Sequence, residues 1–237
     1  MWSETRRPEY LDEVVGHTET KQHIRNYLAT KPYASVLLLH GSPGIGKTTM
    51  ALAATRSCGF EPMEINASQS MRSFADVDTL IQSCRHSRSI SSLVRNDQKR
   101  MCLVLDEVDG SDPHAQQRLA SWMVGGERTI PVLMTCNEIP RIFKTKSAIE
   151  VIRCFPPKPT DLVSLFPDKD VHALAKRFKH DVRRILQFLQ YGESDPLPTV
   201  SIPNGHSPEV LQVLKQKMFF ETDPIVRAIA NGAPASH

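Results

Sequence analysis

The run Gly41-Ser42-Pro43-Gly44-Ile45-Gly46-Lys47-Thr48, followed by Thr49, constrains this chain more than any other segment. It fits G-x-x-x-x-G-K-[ST] and sits between an apolar strand candidate and a helix candidate, as such a loop requires. Glycines let the backbone curl until successive N–H groups face one concavity, and the helix N-terminus adds partial positive charge there. Lys47 supplies a point charge for β- and γ-phosphates, and the Thr48 hydroxyl suits Mg²⁺. Together they read as an ATP site rather than as a glycine turn before an unrelated helix.

Strand and helix candidates alternate around that loop. Residues 36–39 (VLLL) make a short, wholly apolar run, the signature of a buried parallel strand. A helix follows over 48–58 and stops at Gly59, a favoured residue just past a helix end. Residues 62–66, 101–105 and 130–136 are further strands, and 74–85 and 113–124 are helices. This alternation predicts an α/β fold, a parallel sheet with helices on both faces, whose ligands bind at the carboxyl ends of the strands. Three prolines in FPPKPTD mark a boundary near Phe155. Three expected units follow: a nucleotide-binding domain over 1–155, a small helical domain over 156–191, and 192–237 as a Pro/Gly/Ser-rich linker (192–208) plus a reduced C-terminal helix (209–220).

Asp106-Glu107 closes the strand MCLVL. An Asp there can hold the Mg²⁺ shell beside the phosphate loop, and the adjacent Glu can polarise water for attack on the γ-phosphate. The alternative is an acidic turn, DEVDG, with turn-prone Asp109-Gly110. Asn137 follows the strand IPVLMTC, which lies next to the Asp106 strand if the strand order is that of ring-type ATPases; its amide could then orient the attacking water, or merely cap the strand. Arg183 and Arg184 project from HDVRRILQFLQ, where Val182, Ile185, Leu186 and Leu189 form one apolar helical face. An arginine leaving that face toward the γ-phosphate would couple nucleotide state to the angle between domains; solvated surface arginines are the other reading.

Composition narrows the rest. The 237 residues carry 29 Lys plus Arg against 26 Asp plus Glu, a net charge of +3 that neither demands nor excludes nucleic acid. No uncharged stretch reaches the roughly 20 residues a membrane helix needs, and the start, MWSETRRPEY, has no apolar run behind its charges. The chain is expected to stay inside a cell and off membranes. Five widely spaced cysteines, Cys58, Cys84, Cys102, Cys136 and Cys154, suit buried free thiols in a reducing compartment. Without a Cys/His cluster, metal is expected only together with its ligand.

These motifs, taken in order, resemble an AAA+ ATPase of the DNA-polymerase clamp loader type. Trp2-Ser3-Glu4-Thr5-Arg6-Arg7-Pro8 with Leu11-Asp12-Glu13-Val14-Val15-Gly16-His17 is similar to the W-x-E-K-Y-R-P…L-D-E-hydrophobic-V-G-Q box with which its subunits begin. Glu64-Ile65-Asn66-Ala67-Ser68 matches its E-h-N-A-S strand end. Asp106-Glu107-Val108-Asp109-Gly110 takes the form found in the large subunit of replication factor C. Thr135-Cys136-Asn137-Glu138 resembles the sensor 1 segment and Asp181-Val182-Arg183 the sensor 2 segment.

The resemblance implies a RecA-like sheet with a small helical lid. It implies Lys47 and Thr48 on phosphate and Mg²⁺, Asp106 on Mg²⁺, Glu107 as base, Asn137 as sensor 1 and Arg183 as sensor 2. Val15 and Gly16 would lie near adenine, with Arg7 close by. Partners implied are other loader subunits, a ring-shaped sliding clamp and primed DNA, with a nuclear location if the source is eukaryotic. Departures accompany the likeness. Where small subunits carry an S-R-C arginine finger, this chain has SAIEVIRCF, which places Ala148-Ile149 at the finger and lets Arg153 only imitate it. Such a chain would borrow its finger from a neighbour. Arg72, Gln116, Gln117 and Arg118 begin or occupy helices after strand ends, where a loader could track a DNA backbone, though ordinary solvated helix faces account for each of them more readily. Two rivals remain: another AAA+ DNA motor, such as a branch-migration helicase, and a nucleotide-gated scaffold with little hydrolysis.

Overall fold

The computed structural model describes residues 7–86, 100–125, 130–166 and 169–191. Trp2 to Arg6 of the first box, the 192–208 linker and the 209–220 helix lie outside the described residues.

Five strands form one sheet: β1 (Val36–His40), β2 (Phe60–Asn66), β3 (Arg100–Asp106), β4 (Val132–Cys136) and β5 (Ile149–Arg153). Their order is β2-β3-β4-β1-β5, and every neighbouring pair is parallel. Both faces of the sheet are covered, so alternate side chains of one strand enter opposite cores. Val36 and Leu38 of β1 join Leu103 and Leu105 of β3 in one apolar cluster; Leu37 and Leu39 join Cys102 and Val104 in the other. That two-sided burial is why β1 and β3 read as continuous apolar runs. Each fully buried Leu contributes roughly 1.5–3 kcal/mol relative to exposure.

Helices α1 (Thr18–Ala29) and α2 (Lys47–Ser57) cover the face carrying Leu37 and Leu39. Ala51, Ala53 and Ala54 of α2 are fully buried and let the helix lie close on the sheet. On the other face, α3 (Ala67–Ser70) leads into α4 (Phe74–His86), which packs with α5 (Pro113–Val124) through Val77, Leu80, Ile81, Leu119 and Met123. Asp112 caps α5 by accepting from the His114 amide at 2.8 Å, with Pro113 at the first helical position. A short α6 (Arg141–Lys144) precedes β5.

Beyond Phe155 the chain builds a separate apolar cluster from α7 (Pro159–Leu162), α8 (Val171–Arg177) and α9 (Val182–Tyr191). Leu162, Phe166, Val171, Ala175, Phe178 and Ile185 form it, with Val15 packed against it. The expected stripe on α9 is present: Ile185 is buried, and Val182, Leu186 and Leu189 pack beside it. The turn into α9 holds two non-glycine residues at positive φ, Lys179 (51°) and His180 (61°). The elements not anticipated from the sequence include α1 and β5, along with the single-turn α3 and α6.

Candidate nucleotide site

The turn after β1 opens α2 at Lys47, and β4, lying between β1 and β3, carries Asn137 just past its end. The strand order therefore delivers the phosphate loop, Asn137 and Asp106-Glu107 to one rim of the sheet. They meet in a cavity of about 520 Å³. Of the residues singled out in the sequence, Arg7, Val15, Pro43, Gly44, Ile45, Gly46, Lys47, Thr48, Thr49, Asp106, Glu107, Asn137 and Arg183 line it. Gly41 and Ser42 instead touch the site through their carbonyls, which accept from Lys47 Nζ at 2.8 Å each. Gly16 lies just outside, turned at φ 69° against Pro157 and Asp161.

Lys47 is 7% exposed, and Asn137 Oδ1 at 2.9 Å is its third acceptor. Burial pulls its ammonium below the ordinary lysine range, an effect opposed by the charges of Asp106 and Asp109. The Thr48 hydroxyl donates to Asp106 Oδ1 at 2.5 Å, so the loop and the acidic strand end are in direct contact. Thr135 Oγ1 donates to the same carboxylate oxygen and accepts from the Glu107 amide at 3.3 Å. Glu107 itself stands at φ 54°, a left-handed backbone that turns its side chain away from the line of β3. Glu107 Oε2 accepts from Asn66 Nδ2 at 3.2 Å and Ser68 Oγ at 3.0 Å.

Two contacts join the remaining segments to the loop. His17 Nε2 donates to the Ile45 carbonyl at 2.9 Å, and burial holds its imidazole below the usual histidine value. The Val182 amide donates to the Gly44 carbonyl at 3.0 Å, seating the start of α9 on the phosphate loop and bringing Arg183 to the cavity. Arg7 binds Thr49 Oγ1 at 3.2 Å and lies 3.7 Å from Glu64. An apolar end formed by Leu162, Leu165, Phe166 and Leu186 completes the cavity. The sequence motifs contain Thr135, Asn66 and Ser68 but assign none of them a role in the site; a hydroxyl two positions before Asn137 is the available signal for the first.

Of the DNA-tracking candidates, Gln116 and Arg118 are engaged within the fold. Gln116 Nε2 donates to the Ser111 carbonyl at 2.9 Å, and Arg118 bridges to Asp78 at 2.6 Å. Arg153 ends β5 with its guanidinium 5.0 Å from the Phe155 ring centre, outside the cavity lining. Four of the five cysteines are buried, and all five are free.

A parallel sheet with a phosphate-loop motif, an acidic strand end and an intervening polar strand end defines a P-loop nucleotide-binding ATPase domain. The chain belongs to the AAA family, the ATPase family associated with various cellular activities, which matches residues 37–155. Among curated proteins it is similar to the replication factor C large subunit. It is 26% identical to that of Thermococcus kodakarensis over 96% of this chain and 47% of the relative, and 26% identical to that of Methanococcus aeolicus over 80% and 42%. The Sulfolobus acidocaldarius subunit is 30% identical over 64% of this chain and 35% of its own length. The chain thus spans less than half the length of these relatives. Among solved structures, the Thermotoga maritima RuvB Holliday junction branch migration motor shares the fold, with TM-score 0.58 and 17% identity over 78% of this chain and 64% of that one. Among the described residues no helix is long and apolar enough to cross a membrane.

Proposed function

We propose that this chain is an ATP-hydrolysing subunit of a DNA sliding-clamp loader, acting with partner subunits to open a ring-shaped clamp and place it on primed DNA. The observation that carries the enzymatic half is the 2.5 Å contact between Thr48 and Asp106, with Lys47 and Asn137 at 2.9 Å beside it. The loading half is supported by the likeness to large subunits of replication factor C, together with the Glu64–Ser68 and Asp106–Gly110 segments. An intracellular location, nuclear in a eukaryote, follows from that reading, as does a division into 1–155, 156–191 and 192–237.

Thr48 and Asp106 offer hard oxygen donors in contact with each other, which fits Mg²⁺, an ion that retains several waters and takes one or two protein ligands plus phosphate oxygens. Bound there, Mg²⁺ would neutralise charge developing on the β- and γ-phosphate oxygens. Lys47 supplies the fixed positive charge on the same oxygens, and the loop amides from Gly44 to Thr48 wrap them. Asn137 orients the attacking water, and Glu107 accepts its proton as a P–O bond forms to the γ-phosphorus and the bond to ADP breaks. Glu107 is engaged by Asn66 and Ser68, so its base function requires that grip to loosen. Arg183 enters with α9, coupling nucleotide to the lid. The adenine fits the apolar end near Val15, Leu162 and Leu186.

Arg153 does not line this cavity, which supports a chain that borrows its arginine finger; such a finger is worth roughly 10³–10⁵ in rate. Hydrolysis by the isolated chain is accordingly slow. The test is ATP turnover by the purified assembly with and without clamp and primed DNA. Loading predicts stimulation by the two together, whereas directional strand displacement would indicate a helicase, and indifference to both would indicate a nucleotide-gated scaffold.

A further inference from the structure

Asp109 bridges two strand ends of the nucleotide site without lining the cavity. It lies in the 3-10 turn Val108–Gly110 after β3, two residues beyond Glu107, and its side chain crosses to the end of β4. There Oδ2 accepts from two successive backbone amides, Asn137 at 2.9 Å and Glu138 at 3.1 Å. Its other oxygen, Oδ1, is buried with no hydrogen-bond partner. A buried carboxylate oxygen left unpaired is destabilising, and only the two amide bonds made by Oδ2 offset it. The turn is also anchored on its far side: the Gln116 amide holds the Val108 and Ser111 carbonyls, and a Cβ on Gly110 would lie 2.7 Å from the Ser68 side chain. Asp109 therefore projects from a fixed base onto a chain end that has just left its strand.

We infer that Asp109 is a positioning residue for Asn137: its two-amide grip fixes the backbone from which the Asn137 side chain reaches Lys47 and the γ-phosphate position. The inference rests on the reading of Asn137 as the γ-phosphate-sensing amide. Successive amides in free chain have no strand partner to orient them, and two charge-assisted bonds to one oxygen fix both peptide planes. With the planes fixed, the Asn137 Oδ1 contact to Lys47 at 2.9 Å is aimed before nucleotide arrives. Without them Asn137 retains its side chain but loses its aim. Asp109 thereby ties the loop carrying Glu107 to the residue that senses what Glu107 acts on.

The test uses the full 237-residue chain with ATPγS and ADP as calorimetric probes, so that binding is read without hydrolysis. Wild type should prefer ATPγS to ADP. Asn137→Ala should lower that preference about tenfold, and Asp109→Ala and Asp109→Asn by at least threefold, with ADP affinity within about twofold of wild type throughout. The double variant Asp109→Ala/Asn137→Ala should be no worse than Asn137→Ala alone, because one residue acts through the other. A general loss of structure would weaken both nucleotides equally and overturn the proposal. So would an unchanged preference in both Asp109 variants when Asn137→Ala has lost it. An unchanged preference in Asn137→Ala overturns the reading of Asn137, and this inference with it. Hydrogen exchange at the 137 and 138 amides supplies a second measurement, and should be at least tenfold faster in Asp109→Asn; equal protection would refute the grip itself.

Discussion

Replacing Gly44 by alanine tests whether the phosphate loop and the helical segment beyond Phe155 act as one unit. Gly44 stands at φ +73°, where a Cβ costs roughly 1–2 kcal/mol. The same Cβ would fall 1.9 Å from Asp181 Oδ1, so the Asp181 carboxylate must swing aside. That swing gives up the cap it places on the Arg184 amide, worth about 1 kcal/mol. Together the two effects amount to about 2–3 kcal/mol, or roughly 4–12 °C in Tm for a chain of this size. Because Arg183 sits in the helical turn that this cap holds, ATP affinity should fall about 10- to 100-fold, every 1.4 kcal/mol being about tenfold. The double variant Gly44→Ala/Asp181→Ala separates the causes. Asp181→Ala alone loses the cap on the Arg184 amide, at 3.0 Å, and about 1 kcal/mol with it. In the double variant the collision is gone, so its loss should be smaller than the sum of the singles by at least about 1 kcal/mol. Differential scanning calorimetry and fluorescent ATP titration give both readouts. Simple additivity, or wild-type melting and binding in Gly44→Ala, would refute the contact.

Other perturbations address the remaining parts. Glu107→Gln keeps a group able to meet Asn66 and Ser68, so ATP should bind within about threefold of wild type while single-turnover hydrolysis drops about 10²- to 10⁴-fold; undiminished hydrolysis would remove Glu107 from the reaction. Burial depresses the imidazoles of His17 and His40, the latter helped by Arg153 and Lys47. Below about pH 6.5 the unfolded chain binds protons that these groups refuse in the folded state, so Tm should decline as pH falls through that range. His17→Gln, whose amide can still donate to the Ile45 carbonyl, should flatten the decline, and an identical pH profile would exclude His17 as its source. His180→Gly relieves φ 61° and an unpartnered buried Nδ1, and should raise Tm by about 2–4 °C; a lower Tm would show that the ring packs more usefully than its backbone strains.

What the sequence revealed depended on whether a residue's partners were local. The phosphate loop is one continuous segment with its strand and helix attached, and β1 and β3 are buried on both faces, so their apolar runs were plain. Strand β5 escaped because it is an edge strand: Glu150 and Arg153 interrupt it, and Val151 is exposed, so IEVIR has no apolar run. Helix α1 escaped because its buried stripe is only Thr20, Ile24 and Leu28 within a polar sequence, and a His17 at φ 57° starts it instead of a recognisable cap. The asparagine adjoining β4 was placed in the site from the expected strand order, and β4 does lie between β1 and β3. Contacts that bridge distant segments left no comparable trace. Asn66 and Ser68 were visible as part of a motif, but their grip on Glu107 depends on β2 and β3 pairing Asn66 with Asp106. The exposure of Gln116 and Arg118 to a nucleic-acid backbone was equally open from sequence, whereas the helix packing commits both to internal partners.

If Lys47 and the acidic strand end serve a single nucleotide, isothermal titration of Mg²⁺-ATP into wild type and Lys47→Ala shows it most directly. Wild type should bind one equivalent, and Lys47→Ala, still folded by its melting curve, should bind none at the same concentrations. Wild-type affinity in Lys47→Ala would mean that the triphosphate lies elsewhere.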